Sequence, residues 1–174
     1  MKYARFIWIA VFHVVLLISF PVAASENITP PLLKNQAVYA PVYSHVLHGN
    51  LGRDGKPEEM LLSSMLSVRN TDPSYGMTII KVDYYDTHGQ IIRRYITKPV
   101  TIPAMGSTDF FVENRDRSGG TGANFVVEWE AAQPINQPIV ESVQVYFWGT
   151  QAQAFVSRGQ PIHLHVKPEV QPAK

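Results

Sequence analysis

The chain has 174 residues, with 15 basic and 14 acidic side chains and no cysteine. A balance this close to neutral, with no basic cluster along the chain, argues against nucleic-acid binding and against electrostatic attachment to anionic lipid. The lack of cysteine excludes disulfides, thiol chemistry and a lipid anchor built on a cysteine.

In chain order, a positively charged start at Met1 to Arg5 runs into an apolar stretch, Phe6 to Phe20, and then into Pro21-Val22-Ala23-Ala24-Ser25. That order is the pattern of an export signal, so residues 1–24 are expected to be a signal peptide cut before Ser25. The competing reading is an uncleaved anchor, since a span needs about 20 apolar residues. Small side chains at Val22 and Ala24, the helix-breaking Pro21 and the interruption at His13 favour cleavage. Removal of Lys2 and Arg5 leaves thirteen basic against fourteen acidic residues, a formal charge of −1. The expected location is periplasmic or secreted, with no membrane insertion after cleavage. The remaining chain suits one domain able to bury about two thirds of its unfolded surface.

Residues 25–36, with Pro30 and Pro31, and residues 167–174 read as tails around a single domain over 37–166. Within that domain apolar residues recur with a period near two in runs rich in Val, Ile, Tyr and Phe, which is a strand signal. The expected strands are Ala37 to Leu47, Met60 to Arg69, Met77 to Tyr85, Ile91 to Ile96, Val100 to Ile102, Thr108 to Glu113, Asn124 to Ala131, Ile139 to Trp148 and Ala154 to Ser157. A short run from Ile162 to Val166 adds to an edge. Asn70-Thr71-Asp72-Pro73, Asp86-Thr87-His88-Gly89, Pro103 to Gly106, Ser118 to Gly122 and Pro134 to Pro138 carry turn chemistry between them. The second of these predicts a hairpin. Strands at this spacing without amphipathic helices imply an all-β fold, an antiparallel immunoglobulin-like β-sandwich of about seven to nine strands. Alternation in Met77 to Tyr85 puts Thr78, Ile80, Val82 and Tyr84 on the better core face, and Phe125, Val127 and Trp129 are expected inward, with Trp129 at the centre.

Several ordered blocks resemble one bacterial family. They are Leu66-Ser67-Val68-Arg69-Asn70-Thr71-Asp72, Val82-Asp83-Tyr84-Tyr85-Asp86, Pro99-Val100-Thr101, Met105 to Glu113 and Gly119 to Phe125. Together, over residues 37 to about 160, they look like the family catalogued as domain of unknown function 3124. The resemblance implies a Gram-negative envelope protein but carries over no activity, cofactor or catalytic residue. The order of the first two blocks also resembles the early hairpin of immunoglobulin-like extracytoplasmic domains, which bears on fold alone.

The densest polar segment runs from Glu113 to Asn124. Its glycines could present backbone amides to an anion, and two arginines could add bidentate contacts, so Arg115, Asp116, Arg117, Gly119, Gly120, Gly122 and Asn124 are the candidate ligand-binding residues. The structural alternative is a solvated connection whose glycines permit a sharp reversal and whose charges pair locally. His163 and His165, two apart on an expected strand, could share a zinc or copper ion, with His45 and His48 as added ligands, although two histidines fall short of a structural zinc set. Met60 and Met65 could suit copper(I) but read better as core filler. Asp83, Asp86, Asp109, Glu113 and Asp116 could supply a carboxylate pair to a glycoside hydrolase. No Gly-x-Ser-x-Gly elbow or His-Glu-x-x-His motif is present. Tyr39, Tyr43, Tyr75, Tyr84, Tyr85, Tyr95, Tyr146 and Trp148 could form a platform for a glycan or a protein, against a core role for the same rings.

These observations favour an exported, monomeric, non-catalytic binding or interaction module without a cofactor, whose partner is an envelope protein, a glycan or a small anion. The alternatives are a periplasmic hydrolase using strand-borne carboxylates and a metal carrier using His163 and His165. Two features would favour the binding class: an exposed aromatic patch, and a long unpaired edge strand.

Overall fold

The computed structural model describes residues 29–164. The expected signal peptide, residues 25–28 of the N-terminal tail, the end of the expected run from Ile162 to Val166 with His165, and the whole expected C-terminal tail lie outside the described residues. Within them are twelve strands and no helix: β1 (Leu33–Pro41), β2 (His45–His48), β3 (Glu58–Leu61), β4 (Ser63–Arg69), β5 (Met77–Tyr85), β6 (Ile91–Arg94), β7 (Val100–Ile102), β8 (Ser107–Val112), β9 (Asn124–Ile135), β10 (Ile139–Trp148), β11 (Gln151–Arg158) and β12 (Gln160–Ile162). A six-stranded sheet has the order β12-β1-β9-β5, with β6 and β7 both lying along the far edge of β5. A four-stranded sheet has the order β11-β10-β4-β8, and β2 pairs with β3 alone. All pairs are antiparallel.

The two larger sheets pack as a sandwich because each strand presents an apolar row inward. From the six-stranded sheet come Val38, Ala40, Ile79, Val82, Tyr84, Phe125, Val127 and Trp129, and from the four-stranded sheet Leu66, Val68, Val112 and Val140. Trp129 is 1% exposed and is the largest fully buried side chain. Farther along β9 the Tyr84 and Phe125 rings stack at 4.9 Å, and Tyr95 meets Phe125 edge-on at 5.3 Å. The Phe125, Val127 and Trp129 face therefore lies inward as expected.

The face expected for β5 is correct only in its second half. Ile79 stands opposite Trp129 and Lys81 opposite Glu128, so Ile80 is an extra residue in a β-bulge. The bulge reverses the alternation, which sends Met77 and Ile79 inward with Val82 and Tyr84 while Ile80 faces solvent.

Strand number and bounds also differ from expectation. The strand expected from Ala37 to Leu47 begins at Leu33 and divides after Pro41, and the one expected from Met60 divides at Leu62. At the first break the chain leaves the six-stranded sheet for the β2–β3 pair, and at the second it leaves that pair for the four-stranded sheet, so at each its peptide groups leave one ladder before joining another. Their partners are specific. The Pro41 carbonyl accepts the Ser142 hydroxyl, the Tyr43 carbonyl accepts the Ser64 hydroxyl at 3.2 Å, and the Ser44 carbonyl accepts the Leu62 amide at 2.9 Å. Ser44, Ser64, Ser142 and Gln144 are thus buried polar residues in an interior that would otherwise be apolar. A second passage, between β11 and β12, runs through Gly159. A Cβ there would lie 2.7 Å from both the Val140 carbonyl oxygen and a Val38 methyl, so only glycine fits without displacement.

At the far end of the sandwich, Asn70-Thr71-Asp72 ties three loops together. The Asn70 amide donates to the carbonyls of Tyr75 (2.8 Å) and Pro103 (2.9 Å). Asp72 accepts the amides of Ser74 and Tyr75 through Oδ1 and that of Asn136 through Oδ2. The backbone amides, Ser74 first and Asn136 next, hold the Asp72 carboxyl below its ordinary value of 3.8 against the upward push of burial.

Two predictions follow from this packing. Trp129→Ala should cost about 3–5 kcal/mol in urea unfolding, and a loss near zero would contradict its central place. A carboxyl with a depressed folded-state value stabilises the fold fully above its unfolded value and loses that contribution as pH falls through the folded one. Asp72→Asn should therefore lower the melting temperature at pH 7 and flatten its decline below about pH 4; parallel acid profiles for the two proteins would remove Asp72 from that decline.

Candidate functional site

The glycine-rich connection between β8 and β9 closes one end of the sandwich. Its charged half is paired within the protein, Arg115 with the nearby Glu113, and across the fold Arg117 with Glu59 of β3 and Asp116 with Arg93 of β6 at 2.8 Å. Arg93 also lies over the Tyr95 ring, 5.3 Å from its centroid. Partial burial pushes the Asp116 carboxyl up, but hydrogen bonds from Ser118 and the Arg93 guanidinium draw it below its usual value. The glycine half is packed rather than open. The Gly119 carbonyl accepts both the amide (2.9 Å) and the hydroxyl (3.0 Å) of Thr87, and the Gly120 carbonyl accepts the Ser44 amide. The Gly120 amide donates to the Arg117 carbonyl and the Gly122 amide to the Thr87 hydroxyl, both within the protein. A Cβ on Gly119 would fall on the Tyr84 hydroxyl and come within 2.7 Å of Ala123 and 2.8 Å of Ser44 Oγ. Asn124 opens β9 between Pro41 and Tyr85. All seven residues thus sit at one end of the molecule, where the glycine half of the loop fastens the start of β9 to the β1–β2 passage and to the β5–β6 hairpin.

Among the described residues, His163 and His45 lie apart. His163 follows β12, beside the first half of β1, whereas His45 begins β2 beyond the last residue of β1. His48 stands 3.8 Å from Glu58. Among the described residues no group of three or more His, Asp or Glu side chains is placed to hold a metal. The carboxylates are likewise dispersed. Asp83 is buried on the outer face of the six-stranded sheet near Lys81 (3.5 Å) and Arg94 (3.8 Å), and Asp86 caps the β5–β6 turn by accepting the amides of His88 and Gln90. Asp109 lies on β8 opposite Ser67.

The most unusual surface is the outer face of the four-stranded sheet. Leu66, Val68, Val140, Ser142 and Gln144 point inward, so the alternate residues point out. Pairing registers place Val156, Val143, Met65 and Phe111 side by side in one row across all four strands. Phe147, two residues along β10 from Val145, extends the apolar surface. Phe147 is 70% exposed, and Phe111 and Val156 are each 54% exposed. At one end the band meets a charged rim, where Glu141 faces Arg158 and pairs with Arg69 at 3.7 Å. The edge strand β11 is paired on one side only among the described residues, and over eight residues it carries a single charge, Arg158, and no proline. Natural edges are usually guarded by charge, proline or a bulge.

Of the tyrosines expected as a platform, Tyr84 is fully buried and Tyr95 lies against the core, whereas Tyr75 is 50% exposed. The exposed aromatics on this face include Phe111 and Phe147, which sit in Asp-Phe-Phe-Val and Val-Tyr-Phe-Trp. The signal was there: apolar residues on both faces of β8 and β10, unlike a strand with one solvated face.

The family profile described as "Protein of unknown function (DUF3124)" matches residues 35–162. No curated protein matches the chain. One solved structure that it resembles is titled "Crystal Structure of Thermotoga maritima 1070"; the identity is 10%, the match covers 72% of this chain and 92% of that one, and the TM-score is 0.38.

The loop geometry separates packing from charge. Gly119→Ala should destabilise by about 1–3 kcal/mol through overpacking against Tyr84, seen as a lower melting temperature. Arg115→Ala with Arg117→Ala should leave the melting temperature nearly unchanged, because exposed pairs contribute little. A fall in the double variant as large as that for Gly119→Ala would make the charges structural.

Proposed function

The chain belongs to the DUF3124 family, and on that footing we propose that it is an exported, non-catalytic interaction module whose docking surface is the outer face of the four-stranded sheet and its edge strand β11. The observation that carries this reading is the apolar row Val156–Val143–Met65–Phe111 beside an unguarded edge. An exposed apolar sheet face rimmed by charge is characteristic of a protein-binding surface. The fitting partner is an envelope protein that offers an extended segment with alternating apolar residues. Such a segment would add its backbone to β11 and lay every second side chain over Ala152, Ala154 and Val156. With a mature formal charge of −1, the module has little long-range steering, so affinity would come from apolar burial at Phe111 and Phe147 rather than from charge. The positively charged and apolar leader, Met1 to Ala24, supports export to the periplasm or beyond.

A photoactivatable cross-linking residue placed at Phe111 or Phe147 in the producing cells should trap a discrete protein adduct, and the same residue at Leu51, exposed on the loop between β2 and β3, should not. Val156→Lys, which puts charge on the row without touching the core, should abolish the adduct while the melting temperature holds. Equal adducts at all three positions, or none at any, would refute the docking face.

A further inference from the structure

On the opposite flank, the outer face of the six-stranded sheet holds a groove of about 570 Å³. Two irregularities create it. The bulge in β5 turns Ile80 outward onto this face, and a register shift in which Leu33 stands opposite Ile135 but Asn35 opposite Glu130 leaves extra residues of β9 between them. Ile162, His163 and Leu164 form the far wall as the chain leaves β12.

Because Phe125, Val127 and Trp129 point into the core, Glu128 and Glu130 of β9 project onto the outer face, into the groove. Their charges are differently placed. Lys81 Nζ bonds Glu128 Oε1 at 2.9 Å and lies 3.5 Å from Asp83, so Glu128 belongs to a closed ladder of charge. Glu130 stands between Asn35 and Thr78 in the pairing register, and among the described residues it has no ion-pair or hydrogen-bond partner. The groove thus combines one uncompensated carboxylate and the polar Asn35 with the aliphatic side chains of Leu33, Ile80, Ile162 and Leu164.

We infer that this groove binds an ammonium group carried on a short aliphatic chain. The Glu130 carboxylate is the counter-ion, the Asn35 side-chain carbonyl accepts one ammonium N–H, and the methylenes lie between Ile80 and the Ile162–Leu164 wall. A strongly hydrated ammonium gains most where a carboxylate is already committed by the fold and the attached chain can leave water at the same time. An anion is disfavoured by Glu128 and Glu130, and a wholly apolar ligand would leave Glu130 desolvated without a partner. The chemistry suits a free diamine or a lysine side chain of another protein. The site lies on the other sheet from β11, so it stands or falls separately from the docking face.

The test is a titration of the ¹⁵N-labelled protein with 1,5-diaminopentane and with Nα-acetyl-lysine methylamide, using pentanol and pentanoate as controls. Saturable shifts are expected at Ile80, Glu128 to Glu130 and Ile162 to Leu164 with the amines, and none with either control. Glu130→Gln, shown to be folded by its retained spectrum, should weaken amine binding tenfold or more, and Ile80→Ala several-fold. Tighter binding of the diamine would assign a free amine, and tighter binding of the lysine derivative a protein side chain. Shifts that do not saturate, that spread over the surface, or that survive Glu130→Gln unchanged would overturn the proposal.

Discussion

The peptide groups stranded where the chain changes sheets set the constraint on which this sandwich depends. A strand within a sheet satisfies its amides and carbonyls through its neighbours, but a segment crossing the interior has no ladder and little water. Here the crossing at Pro41 to Ser44 is met by the hydroxyls of Ser64 and Ser142 and by the loop carbonyl of Gly120. These polar side chains occupy inward positions of β4 and β10 that an apolar core would otherwise fill. The glycine-rich loop follows from the same need. It must come close enough to Ser44, Tyr84 and Thr87 to satisfy the crossing, and a side chain at Gly119 would hold it off.

That arrangement leaves the two outer faces to diverge. The six-stranded sheet carries a charge ladder in which Lys81 stands between Asp83 and Glu128, with Arg94 beside Asp83. Asp83 is 2% exposed, so its neighbouring cations offset a desolvation cost that an isolated carboxylate would bear in full. On the four-stranded sheet the charges of Arg69, Asp109, Glu141 and Arg158 gather toward one end, and the row Val156–Val143–Met65–Phe111 runs apolar across the outer face from β11 to β8. One sandwich therefore offers two chemically different surfaces.

Much of the architecture was legible in local pattern. Alternation identified the strands, turn residues identified the β5–β6 hairpin, and the inward face of β9 followed from Phe125, Val127 and Trp129. The misreadings share a cause. The Ile80 bulge reverses a face halfway along β5, and the breaks at Pro41 and Leu62 divide two apolar runs that look continuous. A bulge or a crossing is dictated by the strand alongside, which no local window contains. The Glu113 to Asn124 segment was located correctly as the most polar loop, but its contacts are with Glu59, Thr87, Arg93 and Ser44, all distant in sequence.

Composition and periodicity by themselves determined an all-β chain of near-neutral charge with no thiol chemistry, because these depend only on residue type and on the two-residue repeat of a strand. Which apolar residues would be core and which would be surface was decided by tertiary structure alone. Val143 and Val127 are the same side chain in similar strands, yet one lies on an outer face and the other in the interior. The difference arises from which side of each sheet the other sheet covers, a relation between strands far apart in the chain.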